Sequence, residues 1–117
     1  MADRVPNTSE ALLNGMREAF AQRDFEQTLA GFQQLSETGR MPRNIRIEAT
    51  CLAARALTAS KERSAARALL KPLLDDAYPR PIHYDFLAHA FLDLRNYAEA
   101  ARMCERAAEL QEAEKER

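Results

Sequence analysis

Tryptophan is missing from this 117-residue chain, glycine occurs three times, proline five times and cysteine twice. Each scarcity excludes something. A sandwich or barrel of many hairpins needs more turn residues than three glycines and five prolines supply. Aromatics make up 7% of the residues, and the apolar supply is mainly Ala and Leu, which favours helix over strand. An all-β fold is excluded. No apolar run is long enough to cross a membrane as a helix. The opening MADRVPNTSE has no apolar signal core, so the expected location is the cytoplasm. Cys51 and Cys104 lack both CxxC spacing and a secretory context, and are expected to be buried thiols rather than a disulfide.

A charge excess of either sign is also lacking, with 17 basic and 18 acidic side chains giving a formal net charge of -1. Nucleic-acid binders concentrate a basic excess. Here arginine is scattered singly, and the densest stretch, Arg40, Arg43 and Arg46, falls in an expected loop. Neither nucleic acid nor membrane is therefore an expected partner. A hydrophobic share of 46% beside 30% charged residues is that of one globular domain.

What the chain does contain is helical periodicity. A first helix is expected from Thr8 or Ser9, after Pro6, with Leu12, Leu13, Met16, Ala19 and Phe20 at helical spacing. Gln22, Arg23 and Asp24 mark a tight turn. Phe25, Leu29, Phe32 and Leu35 form a second helix that Gly39 is placed to end. A loop over 39–44 leads to a third helix carrying Ile45, Ala49, Leu52, Ala53, Ala56 and Leu57. After a turn at 60–63, a fourth holds Ala66, Leu69, Leu70, Leu73 and Leu74 and stops before Tyr78-Pro79-Arg80-Pro81. A fifth helix is expected from Ile82 to Leu94 and a sixth from Tyr97, with the polar tail ELQEAEKER fraying into solvent.

The segment YDFLAHAFLDLRNYAEAARMCERA, 84–107, resembles a tetratricopeptide repeat, a helix hairpin of about 34 residues with fixed large and small positions. Tyr84, Leu87, Ala88 and Phe91 fall at its first-helix anchors, and Asn96-Tyr97-Ala98-Glu99-Ala100 at its turn into the second helix. Ala100 and Ala107 take the small positions and Cys104 the large apolar one, where a packing residue is expected. One repeat length before Ala100 stands Ala66, and one slightly longer step before that stands Thr28. Ala66 has Thr50, Ala53, Ala54 and Leu57 as matching anchors, and Thr28 has Leu12, Gly15, Met16 and Ala19. The resemblance implies one domain over 1–117, a right-handed α-solenoid of three antiparallel helix hairpins with repeats at about 9–42, 47–80 and 81–114.

In the family so resembled, the first helix of each repeat lines a concave groove that holds a peptide or a partner's helix. Carried over by position, that groove would present Leu13, Arg17 and Phe20, then Glu48, Cys51 and Arg55, then Asp85, His89, Leu92 and Asp93. Arg17 and Arg55 fall at equivalent sites and would stand side by side, suited to a carboxylate or an acidic peptide. The plainer alternative is that they are solvated or paired with Glu48. The Lys and Asn carboxylate clamp of some relatives is absent from the corresponding positions. Cys51 is either a groove-facing thiol or an inert, partly buried one.

Little else carries chemistry. Asp85, His89 and Asp93 recur every four residues along one helix face, more in the manner of a histidine flanked by carboxylates than of a metal site. His83 points elsewhere. The three glycines are too dispersed for a phosphate loop, and no nucleophile has a base and an orienting group at hand. No catalytic residue, metal or cofactor is expected. The expected function is non-catalytic binding of a protein or peptide partner, as a scaffold or adaptor. The alternatives are a small dedicated chaperone of a secretion or assembly system and a structural homo-oligomer such as a homodimer.

Overall fold

A computed structural model describes residues 8–39 and 41–116; the expectations for the opening segment, Pro6 and Arg40 lie outside these. Six α-helices follow one another: α1 (Thr8–Ala21), α2 (Phe25–Thr38), α3 (Arg43–Ala59), α4 (Arg63–Leu70), α5 (Pro81–Asp93) and α6 (Tyr97–Lys115). There is no strand among the described residues.

Three of the helix connections have the same construction. Arg23, Lys61 and Arg95 each adopt the left-handed conformation, with φ of 61°, 67° and 62°. The amide of each donates three residues back, to the carbonyls of Phe20, Thr58 and Leu92. The following amides of Asp24, Glu62 and Asn96 donate five residues back, to Ala19, Leu57 and Phe91. This pair of bonds satisfies carbonyls that would be orphaned at a helix end and reverses the chain in a few residues. Asp24 and Asn96 also open the next helix with their side chains, accepting from the amides of Gln27 (3.2 Å) and Glu99 (3.3 Å). Glu62, one methylene longer than Asp, makes no such bond. Four residues after each cap lies a fully covered small side chain: Thr28, Ala66 and Ala100.

Helices pack in consecutive pairs, α1 on α2, α3 on α4 and α5 on α6, while α3 also touches α1, α2 and α5. As the middle element, α3 is buried around much of its circumference, and Ala49, Ala53, Ala54 and Ala56 are each 1% exposed or less. Small side chains let neighbours approach it from several sides. Gly31 does the same for the first pair, since a Cβ there would stand 2.7 Å from Cγ of Met16. One apolar cluster joins Leu13, Met16 and Leu35 to Ile45, Ala49 and Ala53; the other runs from Ile47 through Leu70 and Tyr84 to Ala107. The body measures 47 × 39 × 24 Å, and its radius of gyration of 15.0 Å exceeds the roughly 13 Å of a spherical domain of this length.

Three expectations need correction. The fourth helix does not continue to Leu74: Pro72 has no amide to donate and crowds the preceding turn, so α4 ends at Leu70 and a 3₁₀ turn covers Lys71–Asp75. The C-terminal segment is helical to Lys115, built of good helix formers and anchored by half-buried Leu110 against the core. Cys104 is exposed, and Met103 is the buried residue, within an inward stripe of Ala100, Met103 and Ala107. Leu70, with which the sequence aligns Cys104, is covered completely, whereas no described helix follows α6 to cover Cys104.

Beyond the 3₁₀ turn, Tyr78 anchors the connection to α5. Its hydroxyl donates to the carbonyl of Leu73 (2.7 Å) and its amide donates to the hydroxyl of Tyr84 (2.9 Å). Arg43 donates to the carbonyl of Ala77 (2.6 Å) and lays its guanidinium over the Tyr78 ring at 5.2 Å.

Candidate functional site

Contacts of α3 with α1 and α5 place three first-of-pair helices in a row, and this row carries every residue expected in the groove. Two of those residues are withdrawn from it. Leu13 is 3% exposed and Cys51 2%; both lie in the apolar clusters and offer a partner no surface. Burial pushes the Cys51 thiol strongly upward in pKa, more than the nearby Arg55 can offset, so it is not a ready nucleophile. At the surface are Arg17, His89 and Leu92, with Phe20, Glu48, Arg55, Asp85 and Asp93 half-buried.

The two arginines do not form a joint receptor. Arg17 donates through Nε and Nη2 to the two oxygens of Glu48, each at 2.6 Å, and through Nη1 to Oδ1 of Asn14 at 2.7 Å. Arg55 donates from Nε to Oδ2 of Asp93 at 2.7 Å. Its guanidinium carbon lies 4.8 Å from the centre of the Phe20 ring. Two helical turns of α3 separate Glu48 from Arg55, about 10 Å along the axis, so each arginine holds its own carboxylate. One pair ties α1 to α3 and the other ties α3 to α5. Asp93 faces Arg55 rather than His89, and no group of three His, Cys, Asp or Glu among the described residues could hold a metal ion.

Beside Arg55 the row opens into a cleft at the turns. The cavity, of about 380 Å³, is walled by Phe20 and Phe25, by Arg23, Arg63 and Arg95, and by the Arg55–Asp93 pair. Phe20 and Phe25 meet edge to face at 5.7 Å, and Arg23 lies over the Phe25 ring at 5.6 Å. Arg63 reaches the carbonyl of Leu94 at 3.4 Å. Arg23, Arg63 and Arg95 have no carboxylate partner among the described residues. No arginine run marks this cluster in the linear sequence, although one signal for it exists. The spacing that aligns Thr28 with Ala66 and Ala100 also puts Arg23 and Arg95 at the same turn position.

Among the described residues no helix is long and apolar enough to cross a membrane. The chain matches no family model, no curated protein and no solved structure.

Proposed function

We propose that the chain is a non-catalytic interaction module, a tetratricopeptide-like stack of three helix hairpins that binds a protein partner across α1, α3 and α5. The observation that carries this is the contact chain through Phe20, Arg55 and Asp93. Three helices far apart in sequence build one surface there, apolar at Phe20 and Leu92 and charged at Arg55 and Asp93. Anchors of that kind bordered by charges suit recognition by complementarity. The three like-built turns at Arg23, Lys61 and Arg95 support the repeat architecture. So do the small buried side chains that recur at the same spacing, Thr28, Ala66 and Ala100. In a stack of this kind the first helices share one side, and a right-handed superhelix would curve it around a ligand.

The experiment is a comparative capture from native cytosol with three folded proteins: the natural chain, a His89→Glu/Leu92→Glu variant, and an Arg102→Glu variant on α6, away from that surface. A partner held by the first and third but lost by the second supports the proposal. A partner held equally by all three places recognition elsewhere. No partner, together with a dimeric mass, turns the proposal into one of self-association.

A further inference from the structure

We propose that the cleft at the turns binds an acidic, extended segment of a partner protein, with an apolar side chain of that segment against Phe20 and Phe25. This rests on the proposed role as an interaction module and names the chemistry of its ligand. The site shares Phe20, Arg55 and Asp93 with the surface formed by α1, α3 and α5 and extends it to the turns, since three of its arginines come from the connections and the start of α4.

Charge is the first support. Four arginines, Arg23, Arg55, Arg63 and Arg95, line the cavity against one acidic residue, Asp93, in a chain whose formal net charge is -1. Only Arg55 is paired with that carboxylate. Asp24, the nearest acid in sequence to Arg23, is turned to the amide of Gln27 as a helix cap. Guanidinium groups left over after internal pairing attract carboxylates and bind them in a fixed, two-pronged geometry.

The backbone is the second support. Arg23 and Arg95 both occupy left-handed positions, where glycine would cause less strain and where a long cation has no conformational reason to be. Both residues nevertheless line the same cavity, from the first and the last of the three turns. A larger cavity of about 500 Å³ between Tyr84 and α6 serves as a contrast: there Arg102 and Arg106 alternate with Glu105 and Glu109, so no net charge is left to recruit an anion.

Peptide is favoured over nucleic acid by the aromatic geometry. Phe20 and Phe25 are turned edge to face, at 61° between planes, and each already has an arginine over its ring. One face of each ring is thus already taken by a cation, which leaves less room for the base stacking that single-strand binders use. A cavity of about 380 Å³ is at the small end of ligand sites, which span roughly 300–1,000 Å³, and suits a few side chains of an extended chain.

The test is fluorescence anisotropy of the full-length protein with a labelled hexapeptide, Asp-Glu-Leu-Phe-Glu-Asp, and its neutral analogue, Asn-Gln-Leu-Phe-Gln-Asn. Arg23→Gln/Arg95→Gln and the remote Arg102→Gln/Arg106→Gln are compared, with circular dichroism confirming that each is folded. The proposal expects the acidic peptide to bind and the neutral one not to, and affinity to fall steeply with added salt. It also expects a loss of about tenfold or more in the turn variant alone. Equal affinity in both variants overturns it, as does no binding by the natural protein; either result leaves the capture experiment to judge the interaction module separately. Tighter binding of a labelled single-stranded DNA through the same arginines overturns the peptide assignment. Self-association of the free protein that is abolished by Arg23→Gln/Arg95→Gln also overturns it, since the acidic segment would then belong to a second copy.

Discussion

Arg17 holds Glu48 by two hydrogen bonds of 2.6 Å, one to each carboxylate oxygen, and so fastens α1 to the first turns of α3. The Glu48 side chain is 16% exposed and that of Arg17 48%, so solvent weakens the pair but does not surround it. A two-pronged geometry places it at the upper end for surface ion pairs. Arg17→Ala is expected to lower unfolding free energy by about 1 kcal/mol. A double-mutant cycle with Glu48→Gln would show that the coupling shrinks with added salt. Additive single effects would mean that the pair contributes nothing.

Glu62 stands where Asp24 and Asn96 cap their helices, yet its side chain caps nothing. Shortening it by one methylene should supply the missing bond. Glu62→Asp is expected to raise stability by about 0.5–1 kcal/mol in a denaturant titration. Asp24→Ala and Asn96→Ala should each lose a similar amount. A neutral or destabilising Glu62→Asp would mean that the three turns are not equivalent.

Two glycines within helices should respond in opposite directions to the same substitution. Gly15 has nothing within 4 Å of an added Cβ, so Gly15→Ala should gain about 0.5–1 kcal/mol from backbone restriction alone. At Gly31 the added carbon would meet Cγ of Met16 at 2.7 Å, and Met16 is 1% exposed with no room to retreat. Gly31→Ala should therefore lose about 1–3 kcal/mol by overpacking. Thermal melts of the two variants check both signs at once.

His83 is 6% exposed, and its Nδ1 has no hydrogen-bond partner. Burial, with Arg80 and Arg43 nearby, holds its pKa below the ordinary 6.5 despite an opposing pull from Glu48. A base whose folded pKa is depressed binds protons more readily when unfolded. Its contribution is therefore complete above pH 6.5 and is lost as the pH falls below that value. Unfolding followed from neutral to mildly acidic pH should show declining stability, and His83→Phe, which keeps an aromatic ring against Tyr78, should flatten the decline. Parallel slopes for the two proteins would assign the acid sensitivity to other groups.

Much of the architecture was legible because apolar spacing and turn chemistry agree. Leu12, Met16 and Leu35 read as helix faces, and Asp24 and Asn96 read as parts of the turns between helices. The end of α4 was harder, since Leu73 and Leu74 keep a helical rhythm straight through Pro72. The exposure of Cys104 was not legible, because periodicity does not tell which of two adjacent residues faces inward at the last helix, where no later element covers the outer one. The pairing of Arg17 with Glu48 and of Arg55 with Asp93 depends on how neighbouring helices are registered. These partners lie 31 and 38 residues apart, and no linear motif encodes such a register. The arginine cleft is hidden in the same way, since its members become neighbours only when three turns are brought to one end.

If α1, α3 and α5 form the binding surface, amide hydrogen exchange with and without a captured partner will outline it. Slowed exchange should appear in the last turns of α1, around Arg55 in α3 and over 89–93 of α5, with the outer face of α6 unchanged. Protection confined to α2, α4 or α6 would mean that the partner binds elsewhere.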